Sequence, residues 1–225
     1  MFVLTSVSRV YGAGAQRFQA LAEVSLRVAR GEFVAIAGPS GSGKTTLLNL
    51  VGGIDAPTSG RIELDGRDLF GLAPKERADF RLAKVGFVFQ QFSLVPVLTA
   101  SENVELPLLF RKGLAAGDRK RFVATALARV GLADKSERRP AELSGGEQQR
   151  VAVARAVAGD PEIVLADEPT ANLDQANGAA VVALLRELNR ERGTTFLYAT
   201  HDPELVRLAG RVVTLRDGRL VEEPA

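Results

Sequence analysis

The chain has 225 residues, 46% hydrophobic and 25% charged, the balance of one globular domain or of a core with one subdomain. A formal net charge of only +2, with no dense Lys/Arg stripe interleaved with aromatics, gives no support to nucleic-acid binding. The absence of cysteine excludes disulfides, thiolate zinc sites and cysteine nucleophiles together, and fits a cytoplasmic location.

The opening "MFVLTSVSRV" lacks a basic segment followed by a long apolar one, so no signal peptide is expected. Two early runs, "AEVSLRV" (22–28) and "RIELD" (61–65), alternate apolar and polar residues with the period of a half-buried sheet, and Asp65-Gly66 marks a turn after the second. Between them "FVAIA" (33–37) is continuously apolar, as a strand buried on both faces must be. It runs into "GPSGSGKTT", after which "KTTLLNLV" (44–51) has a helical pattern. A further strand, "VGFVFQ" (85–90), is followed by proline and charge punctuation and by a helix in "KRFVATALARVGL". There Phe122, Val123, Ala126, Leu127 and Val130 share a face and Gly131 can end the element. Another helix is expected after "LSGGE", so 89–161 reads as a mostly helical insertion.

The last third alternates again. "EIVLA" (162–166) and "TTFLYAT" (194–200) are buried strands flanking an amphipathic helix (178–193), and 211–223 is a terminal hairpin turning at Asp217-Gly218. The longest apolar run, "GAAVVALL" at 178–185, is far short of the ~20 residues that span a bilayer. Buried strands alternating with helices predict a parallel α/β core, with an antiparallel sheet beside it.

The chemistry-bearing residues sit at the ends of these strands. Gly38, Gly43, Lys44 and Thr45 fit G-x-x-x-x-G-K-[ST]. Glycines allow the dihedrals that turn successive N–H groups inward onto phosphate oxygens, and the helix that follows adds its positive end. Lys44 is placed to pair with β- and γ-phosphates and Thr45 to ligate Mg²⁺. Asp167, ending "IVLAD", is suited to hold Mg²⁺, and Glu168, one residue on and pointing differently, to polarise a water as general base. An isolated Asp-Glu pair would more simply be a solvated turn; its company with a phosphate loop favours chemistry. The chain's single histidine, His201, follows a buried strand and is placed to reach a γ-phosphate; Gln90, at the end of "VGFVFQ", is placed to meet water or Mg²⁺. Ser144 opens "LSGGE" as a capping box with Glu147, which alone would only start a helix. Gly145 and Gly146 add bare N–H groups, making a second anion-binding surface that one chain cannot easily bring to its own phosphate loop.

In these ordered segments the sequence resembles the nucleotide-binding subunit of ABC transporters: "GPSGSGKTT" as Walker A, "FVFQ" as Q-loop, "LSGGE" as signature, "IVLADE" as Walker B, "ANLD" as D-loop and "ATHD" as H-loop. The resemblance covers essentially the whole chain. It implies a P-loop NTPase (RecA-like) parallel core with an antiparallel β-subdomain, over 1–88 and 162–225, and a helical subdomain over 89–161. It also implies two copies sandwiching two ATP molecules with Mg²⁺. In that arrangement Gly38, Ser40, Gly41, Gly43, Lys44, Thr45 and Thr46 cradle phosphate. Thr45, Gln90 and Asp167 serve the metal, Glu168 is the base and His201 the γ-phosphate sensor. Ser144, Gly145 and Gly146 act on the other copy's nucleotide, Asn172 and Asp174 communicate across the dimer, and adenine stacks on Tyr11 or, as a rival, Phe18. The signature departs from the common form in ending with Glu147 rather than Gln.

The segments 74–108, 143–156 and "DEPTANLD" are most similar to the subgroup of lipoprotein-releasing and macrolide-exporting ATPases, which transmit force through a permease with a large extracytoplasmic domain. That subgroup also contains cell-division ATPases that signal to envelope enzymes without transport. The resemblance places the chain on the cytoplasmic face of the inner membrane, peripheral, touching a permease through the groove after Gln90. There Phe92, Leu94, Val95 and Leu98 are either partner surface or core. Soluble relatives that act on ribosomes or DNA carry two cassettes or a long coiled-coil insertion, and neither is seen here.

Overall fold

The computed structural model describes residues 2–221. Among the described residues, ten strands are arranged in two sheets. In chain order they are β1 (Phe2–Tyr11), β2 (Phe18–Val28), β3 (Phe33–Ala37), β4 (Ser59–Leu64), β5 (Arg67–Asp68), β6 (Val85–Val88), β7 (Ile163–Asp167), β8 (Thr195–Thr200), β9 (Arg211–Arg216) and β10 (Arg219–Val221). An antiparallel sheet has the order β2-β1-β4-β5, and the main sheet the order β10-β9-β3-β8-β7-β6. In the main sheet β9, β3, β8, β7 and β6 are mutually parallel, and only β10 is antiparallel.

The terminal hairpin turns at Asp217-Gly218 as expected, although residues 222–223 of the expected span lie outside the described residues. Its first strand also pairs in parallel with β3, so it belongs to the main sheet. The β4–β5 turn falls on Asp65 and Gly66, both left-handed (φ 50° and 74°), which suits a two-residue hairpin. β1 escapes a period-two reading because its pairing is bulged. The register slips between Leu4 and Val7 around a left-handed Ser6 (φ 47°), so its inward residues are Phe2, Leu4 and Val7 rather than every second one.

Seven α-helices join these strands: α1 (Lys44–Val51), α2 (Pro74–Lys84), α3 (Ala100–Leu109), α4 (Ala116–Arg129), α5 (Gly145–Val157), α6 (Gln175–Arg192) and α7 (Pro203–Arg207). α2 has no fully buried residue and is mostly charged, so it lacks the apolar stripe by which sequence reveals a helix; its signals are Pro74 in the first turn and Glu76 closing onto the Ala73 N–H.

The main sheet separates two cores. Val34, Ile36, Leu165, Leu197 and Ala199 face α1 (Leu47, Leu48, Leu50, Val51) and the antiparallel sheet. The alternate residues, Phe33, Ala35, Val164, Ala166, Phe196 and Tyr198, face the helices on the other side. Both faces are covered, which is why these strands read as unbroken apolar runs. Tyr198 is fully buried and its hydroxyl donates to the Leu205 carbonyl at 2.8 Å.

α5 lies against β6 at Gly86, where a Cβ would collide with the Ala156 carbonyl. Gly86→Val is therefore expected to cost about 1–3 kcal/mol or more through overpacking, read as a lower denaturant midpoint. Arg111, just after α3, ties this region together, donating to the carbonyls of Ala83 and Gly159, each at 2.7 Å, at the ends of α2 and α5.

Candidate active site

In a parallel sheet, ligands bind beyond the carboxyl ends of the strands. Here that edge gathers Gly38 after β3, His201 after β8, Asp167 and Glu168 at the end of β7, and Gln90 beyond β6.

The loop between β3 and α1 is shaped by its glycines. Gly43, the N-cap of α1, sits at φ 104°, and a Cβ there would lie 2.5 Å from the Ala20 carbonyl oxygen, so only glycine fits. The loop is also pinned from outside by the terminal hairpin, whose Gly218 N–H donates to the Ser42 carbonyl at 3.0 Å. Ser40 and Gly41 are exposed, and Thr45 is exposed on the first turn of α1, with Thr46 half-buried behind it. Lys44 is only 6% exposed, and its ammonium folds back to donate to the carbonyls of Gly38 (2.8 Å) and Pro39 (3.0 Å). It thus stands in the mouth of the loop with its charge satisfied by neutral oxygens, ready to exchange them for phosphate.

Facing it are the carboxylates. Burial pushes the Asp167 carboxyl up from its ordinary range; a hydrogen bond from Thr45 opposes the rise, the Glu168 charge adds to it, and the Lys44 charge opposes it. Asp167 Oδ1 is buried with no hydrogen-bond partner. A carboxylate oxygen left bare beside a hydroxyl is a hard-oxygen donor set suited to Mg²⁺. Glu168 is held at φ 44°, a conformation uncommon outside glycine and a local strain at this edge. Its Oε1 lies 3.6 Å from Lys44 Nζ, and its two oxygens lie 2.9 and 3.0 Å from His201 Nδ1. Lys44, Thr45, Asp167, Glu168 and His201 therefore form one constellation.

Gln90 is exposed, and its backbone is anchored rather than free: Asn172 Nδ2 donates to the Gln90 carbonyl at 2.8 Å. The next turn places Phe92 and Ser93 in left-handed conformations (φ 49° and 50°), their carbonyls gripped by the Arg155 guanidinium. Tyr11 and Phe18, the two aromatics weighed for base stacking, are cross-strand partners on β1 and β2. Tyr11 is fixed, its hydroxyl donating to Asp55 Oδ2 at 2.6 Å with Arg9 over its ring at 4.4 Å, whereas Phe18 is 59% exposed.

The segment expected to form a second anion-binding surface has other neighbours. Ser144 is the N-cap of α5: its Oγ accepts from the Glu147 N–H (3.3 Å), and Glu147 Oε2 accepts from the Ser144 N–H (2.8 Å). The atoms nearest Gly145 and Gly146 belong to Leu173, Phe92 and Asn177 and not to the loop 38–46. A Cβ at Gly145 would lie 3.8 Å from Leu173 and 3.9 Å from Phe92, and one at Gly146 would lie 2.8 Å from Asn177 Oδ1. Gly146 is itself buried, and its missing Cβ is required for the close packing of α5 on α6. Asp174 caps α6, accepting from the Asn177 N–H (2.9 Å) and side-chain amide (2.7 Å); these bonds hold its carboxyl below the ordinary range.

The sequence profile of the ABC transporter family matches residues 21–171, the stretch running from β2 through α5 and β7. The chain belongs to that family. The cassette is 45% identical to the ABC transporter ATP-binding protein YknY of Bacillus subtilis (strain 168), over 98% of this chain and 95% of the relative. It is 44% identical to the macrolide export ATP-binding/permease protein MacB of Syntrophobacter fumaroxidans, over 98% of this chain but 31% of that larger protein. Among solved structures, the dimeric post-hydrolysis state of the cassette MJ0796 bound to ADP and Pi superposes with a TM-score of 0.91 at 43% identity, covering 100% of this chain and 98% of that one. MJ0796 comes from Methanocaldococcus jannaschii. The cassette is an ATPase with the P-loop NTPase fold.

Three residues of the cassette's site region were not singled out by sequence. Arg155 holds the turn after Gln90, Asn177 fills the space at Gly146, and Lys135 forms an ion pair with Glu147. Lys135 chiefly, with the Ser144 N–H, draws the Glu147 carboxyl down to about 2. The "LSGGE" pattern predicted the capping box but not the cation, which comes from a 3-10 turn at Ala133–Lys135.

Proposed function

We propose that the cassette works as a head-to-tail pair that closes on two ATP molecules with Mg²⁺ and drives a membrane permease of the force-transmitting, lipoprotein-releasing or macrolide-exporting kind. The observation that supports the pair is the division of the machinery. Lys44, Asp167, Glu168 and His201 converge on one strand edge, while Ser144 to Gly146 pack beside Leu173, Phe92 and Asn177. A phosphate held by the first group would meet the second only from another copy, and the relative MJ0796 has been solved as a dimer with ADP and Pi.

In this reading the backbone of 38–43, with Lys44, Thr45 and Thr46, binds the phosphates, and Thr45, Asp167 and Gln90 hold Mg²⁺. The metal would supply charge neutralisation at the phosphate oxygens. Glu168 orients a water for in-line attack on the γ-phosphorus and accepts its proton as the bond to the bridging oxygen of ADP breaks. His201, bonded to Glu168, keeps that carboxylate aimed and contacts the γ-phosphate, while Lys44 and Ser144 of the second copy stabilise the developing charge. Asn172 and Asp174, on the segment leading into α6, face the other copy. Tyr11, whose ring is held by Asp55 and Arg9, is the adenine platform. Tyr11→Ala is expected to weaken ATP binding about fivefold or more, and Phe18→Ala and Tyr11→Phe each less, in a fluorescent-nucleotide titration.

Residues 89–161 act in this scheme as a helical unit moving against the core of 1–88 and 162–225. Among the described residues no helix is long and apolar enough to cross a membrane. We place the cassette on the cytoplasmic face of the inner membrane, held there by the permease. Of the apolar residues after Gln90, Leu94 packs on the core, and Val95 is pinned through both backbone groups by the buried Asn103. Val97, by contrast, is 74% exposed. A groove of about 600 Å³ is lined by Ile54, Phe87, Phe89, Pro107 and Phe110, the last 68% exposed. A permease segment is its proposed occupant, in keeping with MacB, which carries both names in one chain.

The test is affinity purification from native membranes in detergent, with a Phe110→Glu variant in parallel. Recovery of a permease with four spans and a large extracytoplasmic domain, lost in the variant while ATP-dependent dimerisation persists, is the expected result. Recovery with ribosomes or DNA and no permease would overturn it. An ATPase that signals to envelope enzymes, as in the cell-division members, is the second reading; it would recover a permease that moves no cargo.

A further inference from the structure

In the proposed sandwich the first turn of α5 meets a triphosphate, yet that turn carries a carboxylate of its own. Glu147 cannot swing away: one oxygen accepts from the Ser144 N–H at 2.8 Å, and its own N–H is tied to Ser144 Oγ. The bare N–H groups and dipole of a helix start favour an anion, and a fixed carboxylate there opposes one. The other Glu147 oxygen is in an ion pair with Lys135 Nζ, reaching in from outside the helix. The neighbouring Arg138 is engaged with Glu142 (3.1 Å), so among the described ion pairs Lys135 is the cation on Glu147.

We propose that Lys135 is a positioning residue of the trans ATP site: by balancing the Glu147 charge, it allows Ser144 and Gly146 to accept the γ-phosphate of the nucleotide bound by the second copy. This rests on the head-to-tail reading. It assigns the glutamate of this signature a compensating partner twelve residues upstream. It also predicts a ranking by net charge: negative when Lys135 is removed, neutral in the parent and in the double variant, positive when Glu147 alone is neutralised.

The experiment measures the ATP concentration at half-dimerisation, by sedimentation, in full-length protein carrying Glu168→Gln to block turnover. Lys135→Ala is expected to raise that midpoint about threefold to tenfold at low salt, and less at high salt. Glu147→Gln is expected to lower it, Lys135→Arg to keep it near the parent, and Lys135→Ala with Glu147→Gln to restore it. Thermal melts of each variant report whether the fold survives. A dimer whose midpoint ignores Lys135, or a double variant as impaired as Lys135→Ala, would make the pair a structural staple and overturn the proposal alone. If the Glu168→Gln protein stays monomeric with ATP, the head-to-tail reading fails and the proposal falls with it.

Discussion

Replacing Glu168 with Gln is expected to reduce ATP turnover by about 10²- to 10⁴-fold, the range for losing a positioned base, while ATP-bound dimer accumulates. The two halves have separate physical causes. Gln keeps the shape of the side chain and its contact with His201, but cannot accept the proton of the attacking water. It also removes a negative charge that stands 3.6 Å from Lys44, the proposed γ-phosphate ligand, so binding is expected to be relieved of a repulsion. Single-turnover hydrolysis and sedimentation in ATP read the two halves independently. Unchanged turnover would take Glu168 out of the base role; lost turnover without dimer would place the residue in assembly instead.

Lys44→Ala should do the opposite, weakening ATP binding roughly ten- to a hundredfold, the value of one or two charge-assisted bonds, and abolishing measurable turnover. Lys44 is buried and its ammonium is held by two carbonyls, so the loss is of a preorganised group. Lys44→Arg is expected to rescue little, because a planar fork cannot enter a pocket shaped around a single ammonium. An arginine variant with near-parent affinity would show that charge alone, without this geometry, suffices.

How much of this was legible in the sequence depended on whether the signal was local. The phosphate loop, the Asp167-Glu168 pair and His201 could be placed because each follows a strand that announces itself as an apolar run, and chain order alone brings strand ends to one edge. β1 was hidden by a bulge that breaks alternation, and α2 by its want of a buried face. The contacts that hold the site's loops join residues far apart: Arg155 reaches Phe92 and Ser93, and Asn172 reaches Gln90, across more than sixty residues in each case. No spacing rule covers such pairs. Tyr11 and Phe18 could not be separated by pattern because they are opposite each other on paired strands; a hydroxyl bond to Asp55 distinguishes them only in three dimensions. Glu147 looked uncomfortable beside an anion because its countercharge arrives from a separate short turn.

The meeting of β6 and α5 at Gly86 carries a mechanical consequence. A bare Cα resting on the Ala156 carbonyl brings helix and strand together more closely than any side chain would allow, inside a core that Val88 shares with Val153 and Val157. Packing this tight transmits strain, so a displacement of the helix beginning at Ser144 is felt at the strand leading to Gln90. The surrounding clasps, Arg111 on Gly159 and Arg155 on Phe92, brace the same joint from either side.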